Sequence, residues 1–166
     1  MSLTASPIEI VTVLNRLTEA FMETIQQFDV IRVGSADGGY MVASGIPTRT
    51  ELTHVEHIAS MALVLRRETA SITAGSKSTK TFQIRAGFNS GPCVAGIVGE
   101  TVPRYFIFGT TVSAVRHLEA TGTAGKIHCG QASKLLLEKF QDFVVVPATP
   151  ATAEDPRETF WLMGKS

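Results

Sequence analysis

The chain has 166 residues, 44% of them hydrophobic and 18% charged, with 15 Lys and Arg balancing 15 Asp and Glu. A formal net charge of zero excludes the basic footprint of a nucleic-acid binder and an electrostatic membrane anchor. No apolar run approaches the ~18 residues of a membrane helix, so no direct membrane span is expected. The length suits a single domain, residues 1–166, with enough interior for a core. So low a charge density, against the ~25% usual in globular domains, predicts a surface that associates.

Residues 1–5 carry no fold signal. Residues 6–27 predict the first helix, with Ser6 as N-cap, Pro7 at the first helical position and Glu9 placed for a capping box. Ile10, Val13, Leu14, Leu17, Phe21 and Ile25 recur at helical spacing and predict one apolar face. "FDVIRV" (28–33) and "YMVASG" (40–45) are short β-rich runs around a glycine-rich turn, Gly34 to Gly39, and predict a hairpin. Residues 50–69 predict a second helix with Leu52, Val55, Ile58, Ala59, Ala62, Leu63 and Leu65 inward. A small, polar stretch (70–80) leads to "TFQIRAGFN" (81–89), which alternates as a strand. "SGPCVAGIVG" then sets a short apolar segment between glycines, and "RYFIFG" (104–109) is a further strand. A helix from about Thr111 to Thr121, "KIHCG", a short helix through "QASKLLLEKF" and strands at "FVVVP" and "TFWLMG" complete the chain. A Pro/Ala/Thr loop, 148–157, separates the last two strands. The alternation predicts an α+β sandwich, one sheet with helices on one face.

The glycine-rich segments do not make a phosphate loop, which needs a helix start and a lysine. "GSADGG" lies between two strands without a lysine, and "GPCVAGIVG" and "TGTAGKI" lack the GK[ST] spacing. His54 and His57 stand one helical turn apart beside Glu56, but zinc wants three or four converging ligands. Spacing nominates no third, so the pair reads as a solvated helix face. His117 and His128 are isolated, and Ser113 has no local base of the GxSxG kind. Cys93 and Cys129 have no CxxC spacing and read as small buried hydrophobes in a reducing compartment.

"YMVASGIP", "HVEHIASMAL", "IRAGFNSGPCVAGIVGETVPRYFIFGTTV", "EATGTAGKIH" and "TFWLMGK" together resemble the catalytic domain of class III adenylate and guanylate cyclases, nearest the guanylyl cyclase branch. "SPIEIVTVLNRL" resembles that family's first helix, and the likeness runs from about residue 6 to 165. It implies a ferredoxin-like βαββαβ sandwich whose first strand is missing here. It also implies two aspartates holding two metal ions, which activate the ribose 3′-hydroxyl for attack on the α-phosphate. An asparagine and an arginine on a later helix stabilise the transition state. Two such domains pair head to tail and share each site.

Carried onto this sequence, the family pattern falls on substituted positions. The stretch that reads "ETIGDAYMV" in guanylyl cyclases is "GSADGGYMV" here, so the purine-reading glutamate falls on Gly34 and the metal aspartate on Gly38. Asp37 stands one residue upstream and is the one candidate metal ligand. The purine-reading cysteine falls on Phe106, the acidic residue of "GDTVN" on Thr110, and the asparagine on Ser113. The transition-state arginine falls on His117, with Arg116 one residue early. The loop before "TFWL" has no lysine.

A divalent ion will not settle against glycine, so the pattern predicts a catalytically impaired cyclase-homology domain acting as a dimerisation or regulatory half. No cofactor is expected for it. The alternative is an active guanylate cyclase half that uses Mg²⁺ or Mn²⁺ and converts GTP to cGMP and pyrophosphate. Either reading implies a homodimer or a heterodimer with another cyclase domain, GTP or ATP as ligand, and a cytoplasmic location, alone or within a larger protein. The first strand would lie inside the sheet, so its absence predicts a gap. That gap would be filled by sheet closure, by a neighbouring chain or by residues outside this sequence.

Overall fold

A computed structural model describes residues 7–33, 39–73, 81–101, 103–149 and 157–166. Helix α1 (Pro7–Gln26) leads into the antiparallel hairpin β1 (Ile31–Val33) and β2 (Met41–Ala43). Helix α2 (Thr53–Ser71) and strand β3 (Ala86–Phe88) follow, then a second antiparallel hairpin, β4 (Val94–Val98) and β5 (Arg104–Phe108). Helix α3 (Thr110–Ala120), strand β6 (Ile127–Gly130), helix α4 (Gln131–Leu137), a 3₁₀ turn and strands β7 (Phe143–Thr149) and β8 (Thr159–Lys165) end the chain. The N-cap at Ser6, the glycine turn at 34–38 and most of the 148–157 loop lie outside the described residues.

Strands β3, β6, β8 and β7, in that order, make a four-stranded sheet, and β3 runs parallel to β6. One face of this sheet holds the main core. Phe88, Ile127, Cys129, Phe160 and Leu162 point at Val55, Ala59 and Ala62 of α2 and Leu137 of α4. Strand alternation sends the intervening residues to the opposite face. There Gly87 lies against α3 so closely that a Cβ would stand 2.5 Å from the Glu119 nitrogen and 2.9 Å from the Leu118 Cβ. Helices therefore cover both faces of this sheet, a correction to the one-sided arrangement expected. The reason is legible in retrospect: glycine at position 87 and an inward histidine at 128 leave room for a helix.

A second cluster joins Ile25, Met61 and Leu65 to Phe21, Val42, Ile58 and Ile84. Helix α2 thus lies under both the first hairpin and the segment entering β3. The strand expected over 81–89 forms only at its end. The Ile84 carbonyl is taken by the Gly125 N–H (2.8 Å), and Thr81 bridges Thr73.

Among the described residues the expected single sheet is in three pieces. The β1–β2 hairpin and the outer edge of β3 rest on the same helix without pairing to each other. Among the described residues sheet closure does not fill the gap expected at this point. Helix α1 also differs from expectation: it buries only Val13, Thr24 and Ile25. Ile10 and Leu14, expected inward, face solvent because the first half of the helix overhangs the core.

Candidate functional site

Strand β5 turns into α3 through Gly109, whose φ of 134° is open to glycine and strained for other residues. The Gly109 carbonyl accepts from the Val112 and Ser113 N–H groups (3.1 and 3.3 Å). Thr111 donates its hydroxyl to the Pro92 carbonyl (2.8 Å) and seats on Gly91, pinning the helix start to the segment before β4. Val112 and Leu118 are buried and set the rotation of the helix. Thr110, Ser113 and Arg116 are therefore exposed, whereas His117 is half-buried. Arg116 and His117 differ by the 100° of one helical residue.

Phe106 lies on β5, half-buried, and stacks on Phe108 with ring centroids 6.2 Å apart. It is register partner to Gly96 on β4. Gly34, Asp37 and Gly38 lie outside the described residues. The described residues thus bring Thr110, Ser113 and Arg116 together on α3, with Phe106 on the strand that leads into that helix. Among the described residues no three His, Cys, Asp or Glu side chains group to hold a metal ion. Thr110, Ser113 and Arg116 bring no carboxylate, whereas a divalent cation takes several oxygen ligands, and the candidate ligand Asp37 is outside the described residues.

His54 and His57 are half-buried rather than solvated. His54 Nδ1 bonds the Thr50 carbonyl (2.9 Å) and His57 meets the Phe28 ring edge-on. Cys93 is exposed, against the expectation of burial, because it precedes the outlying β4–β5 hairpin. Cys129 is buried, and burial pushes its thiol up to about 12, which leaves it inert.

The sequence reading missed a polar layer between α3 and the four-stranded sheet. His128 is buried, stacks on Trp161 (4.4 Å) and donates from Nδ1 to the Leu118 carbonyl (2.9 Å). Burial is the main cause that holds its pKa below the usual 6.5, and the neighbouring His117 charge adds to it, against the raising effect of the Leu118 bond. Beside it a cavity of about 200 Å³ opens, lined by His117, Asn89 and Thr159 among others. The available signal was strand alternation: His128 and Thr159 both fall opposite core-facing neighbours.

The Adenylate and Guanylate cyclase catalytic domain family model matches residues 1–164. Guanylate cyclase 32E of Drosophila melanogaster is 35% identical over 161 residues, which cover 96% of this chain and 14% of that protein. Guanylate cyclase D of Mus musculus is 36% identical over 168 residues, covering 99% of this chain and 15% of its own length. The chain thus spans about 15% of the length of the curated relatives it matches. The guanylate cyclase domain of RhGC from Catenaria anguillulae, solved with GTP, superposes with a TM-score of 0.80 at 21% identity, covering 99% of this chain and 89% of that one. That likeness shows the α+β cyclase fold.

Proposed function

This chain belongs to the adenylate and guanylate cyclase catalytic domain family, and on that premise we propose that residues 1–166 form a cyclase-homology unit with degenerate catalytic positions. It serves as a dimerisation or regulatory half in cyclic-nucleotide signalling, in the cytoplasm, alone or within a larger protein. The observation that carries this reading is apolar surface left in solvent on two separate elements. Ile8, Val11 and Leu14 on α1 are exposed, and so are Val94, Ile97 and Phe108 on the β4–β5 hairpin. Patches of this kind mark interaction surfaces, and two unlike patches on one chain suit a head-to-tail contact with a second cyclase domain. The substituted positions support the impaired half of the reading. By the family resemblance, Ser113 and His117 fall where the family would orient the ribose and stabilise the transition state, Thr110 falls at a nucleotide-binding position, and Phe106 falls where the family would read the purine.

Sedimentation and a cyclase assay with GTP or ATP plus Mn²⁺ test it together, and titration calorimetry reports whether nucleotide is retained. The expected result is a dimer that forms no cyclic nucleotide. Product that disappears on Asp37→Ala would establish the active reading instead. A chain that stays monomeric at every concentration, with and without a second cyclase domain, would sink the partner role.

A further inference from the structure

A second cleft, of about 400 Å³, lies where the last turns of α2 meet the chain entering β3 and the turn before β6. Arg66, Arg67 and Ala70 of α2 line it, with Gln83, Ile84 and Gly125. No residue of β5 or α3 is among them, so the cleft is separate from Phe106, Thr110 and Ser113. Arg66 gives it its chemistry. The residue is half-buried, and its Nη1 and Nη2 donate to the Leu162 and Met163 carbonyls of β8 (3.4 and 2.7 Å). Those bonds hold the guanidinium in place but leave its charge uncancelled. Among the described residues no carboxylate pairs with it.

A guanidinium carries five N–H donors, so the two bonds to β8 leave others to spare. A charge drawn partly out of water without a counter-ion is costly. Nor is this charge spent on the end of its own helix. The last turn of α2 holds no basic residue, and the helix-dipole effect fades within one turn. Arg67 adds a second guanidinium, whose partner Glu68 (2.9 Å) is as solvent-washed as itself. Exposed pairs of this kind contribute little, so Arg67 can trade Glu68 for another anion. The exposed Gln83 offers an amide, while Ala70 and Ile84 supply apolar wall. Guanidinium forks match carboxylate and phosphate oxygens, and the cleft falls in the ~300–1,000 Å³ range of small-molecule sites. We propose that this cleft binds a small organic anion, its carboxylate or phosphate group on Arg66 and Arg67 and its apolar body against Ala70 and Ile84.

The test is titration of the full chain with benzoate, phenyl phosphate and the uncharged benzamide, read by calorimetry and by the melting temperature. Saturable binding of benzoate or phenyl phosphate is expected, at least tenfold tighter than benzamide. It should weaken with added salt and raise the melting temperature. The tighter of the two anions tells a carboxylate site from a phosphate one. Arg66→Gln should weaken binding at least tenfold and Arg67→Gln at least threefold, with circular dichroism confirming the fold. Arg67 is exposed and touches no strand of the sheet, so its variant carries the test if Arg66→Gln does not fold. Three results would overturn the proposal. Neither anion binds at millimolar concentration; benzamide binds as tightly as the anions; or the folded variants bind them as tightly as the parent chain.

Discussion

His128 shows how one side chain ties the sheet to α3 and makes stability depend on pH. Its Nδ1–H is committed to the Leu118 carbonyl and its ring to Trp161. The remaining nitrogen is buried without a partner, a position that suits a neutral lone pair and penalises a proton. The folded pKa is lowered from 6.5, so the unfolded chain takes up a proton at a pH where the folded chain does not. Stability from this group is therefore complete above about pH 6.5 and is lost as pH falls from there toward the folded value, at up to ~1.4 kcal/mol per pH unit. The melting temperature should drop between pH 7.5 and 5.5. His128→Phe keeps a ring against Trp161 and should flatten that slope; an unchanged slope would assign it to another group. The role of His128 was hidden in the sequence because nothing local distinguishes a histidine facing a helix from one facing water. Its strand neighbours Ile127 and Cys129, both fully buried, carry the only hint.

At the scale of elements, the β4–β5 hairpin departs furthest from a self-contained fold. Val94 and Ile97 are each 71% exposed, although they fall on opposite faces by alternation. A two-stranded ribbon of this length is marginal alone, so apolar residues on both faces ask for a partner. Helix α1 repeats the pattern in its overhanging first half. If the two patches meet in a head-to-tail pair, Ile97→Glu or Leu14→Glu should each weaken self-association tenfold or more, about 1.4 kcal/mol. Monomer stability should hardly change, since both side chains are already in water. Sedimentation velocity across a concentration series reads the first effect and thermal melting the second. Association unaltered by either charge would place the contact elsewhere. The helical spacing of α1 was plain in the sequence, yet spacing cannot say whether an apolar stripe meets its own core or another chain. That is why Ile10 and Leu14 were expected inward.

For the whole molecule, element order and the α2 core were legible because periodicity and glycine punctuation agree along most of the chain. Leu52, Val55, Ile58, Ala59, Ala62, Leu63 and Leu65 were all expected inward, and none of them is exposed in the fold. The candidate site was legible only as a set of substituted positions. Where a side chain points depends on contacts far apart in sequence, such as Thr111 on Pro92. Sheet continuity was not legible either, since pairing is a long-range property. An edge without a partner exposes backbone N–H and C=O groups. The β3 amides that point away from β6, and those on the open side of the first hairpin, should exchange with deuterium at least tenfold faster than the β6 amides, which have strands on both sides. A partner seated in the gap would slow both edges together. Equal protection of β3 and β6 in the isolated chain would mean that the gap is already filled.

Gly87 gives that edge its mechanical meaning. With no side chain between them, the backbone of β3 bears directly on α3 at Leu118 and Glu119, and close-packed surfaces transmit displacement rather than absorb it. The strand works as a handle and the helix as its load. Whatever grips the open side of β3 has hold of Thr110, Ser113 and Arg116 as well.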